Sequence, residues 1–318
     1  MTRVLVTGGT GFVGRRLVRA LIAGGYTVRL ATRAVMAPPR PDVEIVPVGP
    51  IGSRTDWREA LSGVEHVVHA AAMVHVMRPA DGDERAFHEV NALGTEALAR
   101  AAAFSGVRRF ILLSTVKVLG EESGDRPLRD DDPPRPHDAY ARSKYEGEER
   151  AAGAAVGAGM ELVVLRPPLV YGPGVKGNFA TLLRLCDSGL PLPLGAVRNR
   201  RSLIYVDNLV EAIIAALAHR GSLSGRFLVS DGEAVSTPEL IRALGAALGR
   251  PARLIPVPSG LLRLTAKAFG LRPAVERLIG SLAVDDGRFR ASTGWAPNAK
   301  FEDGLRATAA WWRAGRGR

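Results

Sequence analysis

The chain of 318 residues contains one cysteine, Cys186. No disulfide can close within it, which is the cysteine usage of a reducing cytoplasm. Also missing is a basic leader followed by an apolar core, and no apolar run approaches the roughly 18 residues at which a membrane-spanning helix becomes a candidate. A soluble, cytoplasmic protein without membrane insertion is therefore expected. Zinc-ligand spacings and helix-turn-helix signatures are absent, so neither a metal nor a nucleic acid is expected as a partner. The formal net charge of +11 would reopen that question if the basic residues clustered. Only five of the 43 are lysine, and the arginines are scattered without basic blocks or interleaved aromatics, the pattern of a solvated basic face.

What is present begins near the N-terminus. Val4-Leu5-Val6 feeds into Thr7-Gly8-Gly9-Thr10-Gly11-Phe12-Val13-Gly14, and Arg15 to Leu21 continue with apolar residues at helical spacing. The pattern is strand, tight turn, helix. The first glycine allows a turn that a side chain would block, Gly11 lets the backbone approach phosphates, and Gly14 lets the helix lie close to the strand. The free N–H groups and positive dipole end of that helix then face an anion, so a dinucleotide cofactor is expected here.

Further strand-like runs occur at Thr27 to Ala31, Val43 to Val46, His66 to His69, Phe110 to Leu113 and Leu162 to Leu165, with helix-like segments between several of them. This alternation indicates an α/β chain built on a Rossmann-type doubly wound parallel sheet. The second strand of such a sheet usually ends near a carboxylate that binds the adenosine ribose. Here the segment reads Leu30-Ala31-Thr32-Arg33; a guanidinium suits a 2′-phosphate, so NADP(H) is favoured, with NAD(H) the alternative. Within the helix expected from Asp83 to Phe104, Asn91 is disfavoured by propensity and reads as a structural residue bonded to a neighbouring loop or helix.

Phe110 to Leu113 end in the hydroxyls of Ser114 and Thr115, which should face the cofactor cleft because ligands bind beyond the carboxyl ends of parallel strands. After a proline-rich loop, Tyr140-Ala141-Arg142-Ser143-Lys144 places a phenol and an ammonium four residues apart, on one face of a helix. A neighbouring cation favours the phenolate, and Tyr140 can then exchange a proton with a substrate oxygen. Ser236-Thr237-Pro238-Glu239 is a helix cap. The last helix is expected from Glu302 to Arg313, with Ala314 to Arg318 a frayed tail.

Thr7 to Gly14, Ser114-Thr115, Tyr140 to Lys144 and Arg166-Pro167-Pro168-Leu169-Val170-Tyr171-Gly172-Pro173 together resemble the extended short-chain dehydrogenase/reductase family, over residues 1 to about 312. The resemblance implies that Thr115, aided by Ser114, is catalytic with Tyr140 and Lys144. It implies cofactor contacts at Thr7, Gly8, Gly11, Phe12, Val13, Gly14, Ala70, Ala71, Pro167 and Val170, with Arg33, Tyr140 and Lys144. Substrate contacts are implied at Thr115, Asn178, Phe179, Leu194 and Arg201, with Leu192 to Gly195 a short strand. Residues 1–172, joined again by 202–230, would form the dinucleotide-binding domain, and 173–318 mainly the substrate region. Members of the family often form homodimers through two helices of the nucleotide-binding domain.

The activity so implied is oxidoreduction at C4 of a nucleotide sugar, UDP-linked by preference, as a 4-ketoreductase or a 4-epimerase. A reductase of lipid-like or aromatic ketones and a non-catalytic cofactor-sensing protein are the alternatives. The sequence departs from the family pattern at Leu119, where a tyrosine is usual, and at Gly49-Pro50-Ile51, where an aspartate commonly meets adenine. The second phosphate-binding arginine is not recognisable, with Arg277 or Arg288 as substitutes.

Overall fold

A computed structural model describes residues 2–38, 41–74, 83–268 and 272–316. The strands are β1 (Arg3–Thr7), β2 (Thr27–Thr32), β3 (Val43–Pro47), β4 (His66–His69), β5 (Arg109–Leu113), β6 (Glu161–Arg166), β7 (Leu169–Tyr171), β8 (Leu203–Tyr205) and β9 (Gly225–Leu228). The helices are α1 (Phe12–Ala23), α2 (Arg58–Leu61), α3 (Asp83–Phe87), α4 (Gly94–Phe104), α5 (Ala139–Ala155), α6 (Gly177–Asp187), α7 (Val206–Ala218), α8 (Thr237–Ala247), α9 (Ser259–Ala268), α10 (Arg272–Ile279), α11 (Gly287–Thr293) and α12 (Phe301–Arg316). None is long and apolar enough to cross a membrane among the described residues.

Seven strands form one parallel sheet in the order β3-β2-β1-β4-β5-β6-β9. Val4, Leu5 and Val6 are all fully buried, as a strand covered on both faces requires. Val4 and Val6 pack with residues of α1 and α7, while Leu5 packs on the other face with residues of α4. The strand order reverses between β1 and β4. That switch point opens a crevice beyond the carboxyl ends of these two strands, where ligands of such sheets bind.

The C-terminal end of α7 is tied to the sheet by Arg109, the first residue of β5. Its Nη1 donates to the carbonyl oxygens of Ala216 and His219 at 2.6 and 2.8 Å, groups that a helix leaves without internal partners at its C-terminal end. A second apolar cluster joins Tyr171, Phe179, Leu183 and Leu194 to residues of α8 and α12, and β7 and β8 form their own two-stranded parallel sheet beside it.

Local detail departs from the sequence reading in three places. The Asp83 to Phe104 helix is interrupted by a π-helical stretch, His88–Leu93, which turns Asn91 inward. Leu192 to Gly195 make one isolated bridge, Leu192 to Leu254, instead of a strand. The final helix runs past Ala314 through Arg316, while Gly317 and Arg318 of the expected tail lie outside the described residues; its apolar face packs Leu305, Ala309 and Trp312 into the second cluster.

Candidate active site

The crevice is walled by backbone at van der Waals limits. Gly8 has φ +70°, and a Cβ there would lie 2.6 Å from the Ala71 nitrogen. A Cβ on Gly14 would lie 2.1 Å from the Gly8 carbonyl oxygen, so α1 can approach β1 only without a side chain at this point. Gly11 caps α1 with extended backbone and no side-chain bond, leaving the first-turn N–H groups free to meet an anion. This cradle fits the pyrophosphate of a nicotinamide dinucleotide. Phe12 and Val13 lean toward the second apolar cluster, and exposed Arg33 follows the carboxyl end of β2.

Behind the cradle lies a polar chain of which the sequence announced only Asn91. Thr7 Oγ1 accepts from the Ala71 N–H at 3.1 Å and bonds His69 Nδ1 at 2.7 Å, so it donates to the ring. His69 Nε2 reaches Thr95 Oγ1 at 3.0 Å, and that hydroxyl donates to the Asn91 carbonyl at 2.7 Å. The bonds assign a neutral imidazole with its proton on Nε2. Burial, reinforced by the nearby Lys144 charge, pulls its pKa down to about 3. Asn91 in turn holds Met73 by both backbone groups, at 2.8 and 3.0 Å, and donates to Ser143 Oγ at 3.0 Å. The loop carrying Ala70 and Ala71 is thus anchored to α5. Thr7 is wholly buried, and its hydroxyl is spent on this scaffold.

Thr115 and Ser114 face different tasks. Thr115 Oγ1 accepts from the Lys117 N–H at 3.3 Å, capping a short 3₁₀ turn and leaving its own proton to donate. Ser114 Oγ instead donates to the buried Glu148 carboxylate, so its proton is engaged within the protein. Asp138 caps α5 through the Ala141 N–H at 2.7 Å, setting Tyr140 and Lys144 on one face of the first turns. Tyr140 sits edge-on to Phe87, ring centroids 6.2 Å apart. Burial pushes its phenol above the ordinary value, the Asp138 carboxylate adding to the effect. Burial pulls Lys144 down to about 8, against the opposing charge of Glu148. The Tyr140 phenol is thus raised by its surroundings within the protein itself, where a lowering by Lys144 was expected. Pro167 is buried and accepts from the Val116 N–H at 2.9 Å, while Val170 pairs with Ile204.

On the substrate side the placements diverge. Asn178 is exposed in the first turn of α6, and Lys176, not Asn178, is the cap. Phe179 is fully buried and stacked on Tyr171 at 5.4 Å, and Leu194 is buried in the same cluster. Their side chains belong to the core, which leaves their backbone groups to meet a substrate. Arg201 is partly buried and donates to the Gly280 carbonyl at 2.9 Å. Burial lowers its pKa and the nearby Glu122 carboxylate raises it, so it is no freely solvated loop charge. Arg288 lies 5.0 Å over the Phe227 ring on β9, and Arg277 is exposed on α10.

The family model described as "NAD dependent epimerase/dehydratase family" matches residues 4–229. The UDP-glucose 4-epimerase of Vibrio cholerae is 41% identical over 310 residues, spanning 96% of this chain and 94% of that protein. Among solved structures, UDP-glucuronic acid 4-epimerase from Bacillus cereus in complex with NAD superposes with a TM-score of 0.79 at 22% identity, covering 98% of this chain and 99% of that one. MoeE5 in complex with UDP-glucose and NAD gives 0.78 at 25% identity, with 99% of both chains covered.

Proposed function

This chain belongs to the NAD dependent epimerase/dehydratase family, and on that premise we propose that it is a 4-epimerase of a UDP-linked sugar. The reading is supported by Thr115 capping a turn that Lys117 ties to the start of α5 through Asp138 at 2.6 Å, by Tyr140 and Lys144 four residues apart on that helix, and by a glycine cradle that a single methyl group would fill. When bound, the oxidised nicotinamide supplies the acceptor for the C4 hydride and a positive charge that, with Lys144, offsets the upward push on the Tyr140 phenol. With the cofactor bound, Tyr140 would take the proton of the C4 hydroxyl as C4 is oxidised, and would return it to the same oxygen once the 4-keto sugar has turned in the cleft and C4 is reduced from the opposite face. Thr115 donates a hydrogen bond to that oxygen throughout. Lys144 holds the cofactor ribose, and Arg201 with Asn178 holds the diphosphate.

In this reading residues 1–172 and 202–230 bind the cofactor and the remainder binds the sugar nucleotide, in a cytoplasmic homodimer. The dimer would pair α4 and α5, whose ends expose Phe104 and Val156 at 95% and 81%. Sedimentation equilibrium at micromolar protein should return twice the chain mass; a monomer that retains full activity would remove this part.

A second reading is favoured by one observation. The segment at the carboxyl end of β2 offers exposed Arg33 and no carboxylate, which suits the 2′-phosphate of NADP(H) and hence net reduction of a 4-keto sugar. Purified protein mixed with UDP-sugars or UDP-4-keto-sugars, followed by nicotinamide absorbance and product analysis, separates the two. Interconversion of UDP-sugars without net change of cofactor is the expected result. Stoichiometric loss of NADPH, weakened by Arg33→Ala, would establish the reductase instead. Repeating the panel with Arg201→Met should raise KM for the UDP-sugar by about 10- to 100-fold. An unchanged KM would point to lipid-like or aromatic ketones, which have no diphosphate to hold.

A further inference from the structure

We propose that Glu148 is a positioning residue for this reaction: its buried carboxylate keeps the Lys144 ammonium charged and draws the Ser114 hydroxyl away from the substrate, leaving Thr115 as the one strand-end hydroxyl that can bind it. The inference rests on the roles proposed above for Thr115, Tyr140 and Lys144.

Glu148 is fully buried, and both its oxygens are engaged. Oε1 accepts from Ser114 Oγ and from Arg166 Nε at 3.1 Å, and Oε2 accepts from Arg166 Nη2 at 2.5 Å. Arg226 Nε stands 3.3 Å from Oε2. A buried ion pair is weak evidence for stability, since apolar residues of the same volume often serve as well. A role in placing charge accounts better for its position. Glu148 follows Lys144 by four residues on α5, hence on the same helix face. Lys144 is itself buried, 1% exposed, and among the described residues it forms no ion pair of its own.

The groups facing this site come from five directions. Tyr140, Lys144 and Glu148 stand on α5, His69 on β4, Arg166 on β6 and Arg226 on β9. Behind Arg166 lies the Asp130 loop, whose carbonyl accepts from Arg166 Nη1 at 3.4 Å and whose carboxyl is raised by burial to about 6, with Arg288 and Asp285 nearby. His69 is neutral in the neutral range because its pKa is about 3. Removing the negative charge of Glu148 destabilises the ammonium form, so the Lys144 pKa must fall, and the charged form is lost from lower pH upward.

The chain has five lysines, so a spectrum of protein labelled at the lysine ε-carbon is resolvable, with Lys144 identified by its absence from Lys144→Arg. In the full-length wild-type protein its signal should titrate near 8. In Glu148→Gln the midpoint should fall by about one pH unit, whereas Glu148→Asp, which keeps the charge, should hold it near the wild-type value. The alkaline limb of kcat with a UDP-sugar should move down with the Glu148→Gln midpoint. A midpoint that stays or rises in Glu148→Gln overturns the proposal, as does a kcat limb that ignores a shifted midpoint. If Glu148→Gln does not fold, Arg226→Gln decides: losing that cation should raise the midpoint, and an unmoved value overturns the inference. Absence of turnover with any UDP-sugar in the wild type would instead sink the functional reading, and the resonance midpoints would still judge Glu148.

Discussion

Tyr140→Phe is expected to lower kcat by about 10³-fold, or about 4 kcal/mol of transition-state stabilisation, within the range found for a lost general acid/base. The substitution removes one oxygen from a ring already seated edge-on to Phe87, so the ring position is kept and only the proton carrier is lost. Dinucleotide binding should stay within about threefold, because Lys144 and the glycine cradle are untouched. Both measurements are needed: kcat from single-turnover kinetics and Kd from fluorescence of the reduced cofactor. A kcat within about tenfold of wild type would show that another group moves the proton. The protein's own environment makes this a demanding role. Burial and Asp138 hold the phenol above its ordinary pKa, so an isolated Tyr140 favours the protonated form that donates to a carbonyl oxygen, and proton uptake requires the compensating positive charges of Lys144 and the oxidised nicotinamide.

The second large effect is at the cradle. Gly14→Val should weaken dinucleotide binding by more than about 100-fold and destabilise the fold by about 3 kcal/mol. Even the first added carbon would lie 2.1 Å from the Gly8 carbonyl oxygen and 2.6 Å from the Gly9 Cα. Both obstacles are backbone, so relief comes only by lifting α1 from the end of β1, which opens the pyrophosphate site. Gly11→Ala is the informative contrast. Its Cβ would meet only the Gly8 carbonyl oxygen, at 3.1 Å, and its backbone, φ −77° and ψ −177°, is one any residue adopts. That variant should keep its unfolding free energy from urea titration within about 1 kcal/mol of wild type while losing affinity, since on the proposed reading the added methyl stands where phosphate approaches. Equal loss of stability in both variants would place the steric limit elsewhere.

The two glycine variants also separate what is local from what is not. Strand, turn and helix at residues 3–23 follow from apolar period and glycine placement within one short stretch, and they are legible because each signal lies within a few residues of what it causes. The same holds for β2 to β6, for the Ser236–Glu239 capping box and for the Tyr140–Lys144 spacing on α5. Family membership was legible for the same reason, as several local motifs in order.

Tertiary structure alone decided the direction of individual side chains. Ser114 and Thr115 are adjacent and chemically alike, yet Glu148, 34 residues from Ser114, claims one hydroxyl while a 3₁₀ turn orients the other. Phe179 and Leu194 carry motif positions, but their side chains complete the second core, because that cluster gathers apolar groups from well-separated parts of the chain. The neutral tautomer of His69 depends on Thr7 and Thr95, 62 and 26 residues away. The sequence by itself determined the doubly wound sheet, the order of its motifs and the residue types at the cleft, since these depend on short-range pattern and burial preference. Which hydroxyl is free, which aromatic is core and how far Tyr140 and Lys144 are desolvated depend on contacts between distant segments, and those arise only when the elements pack.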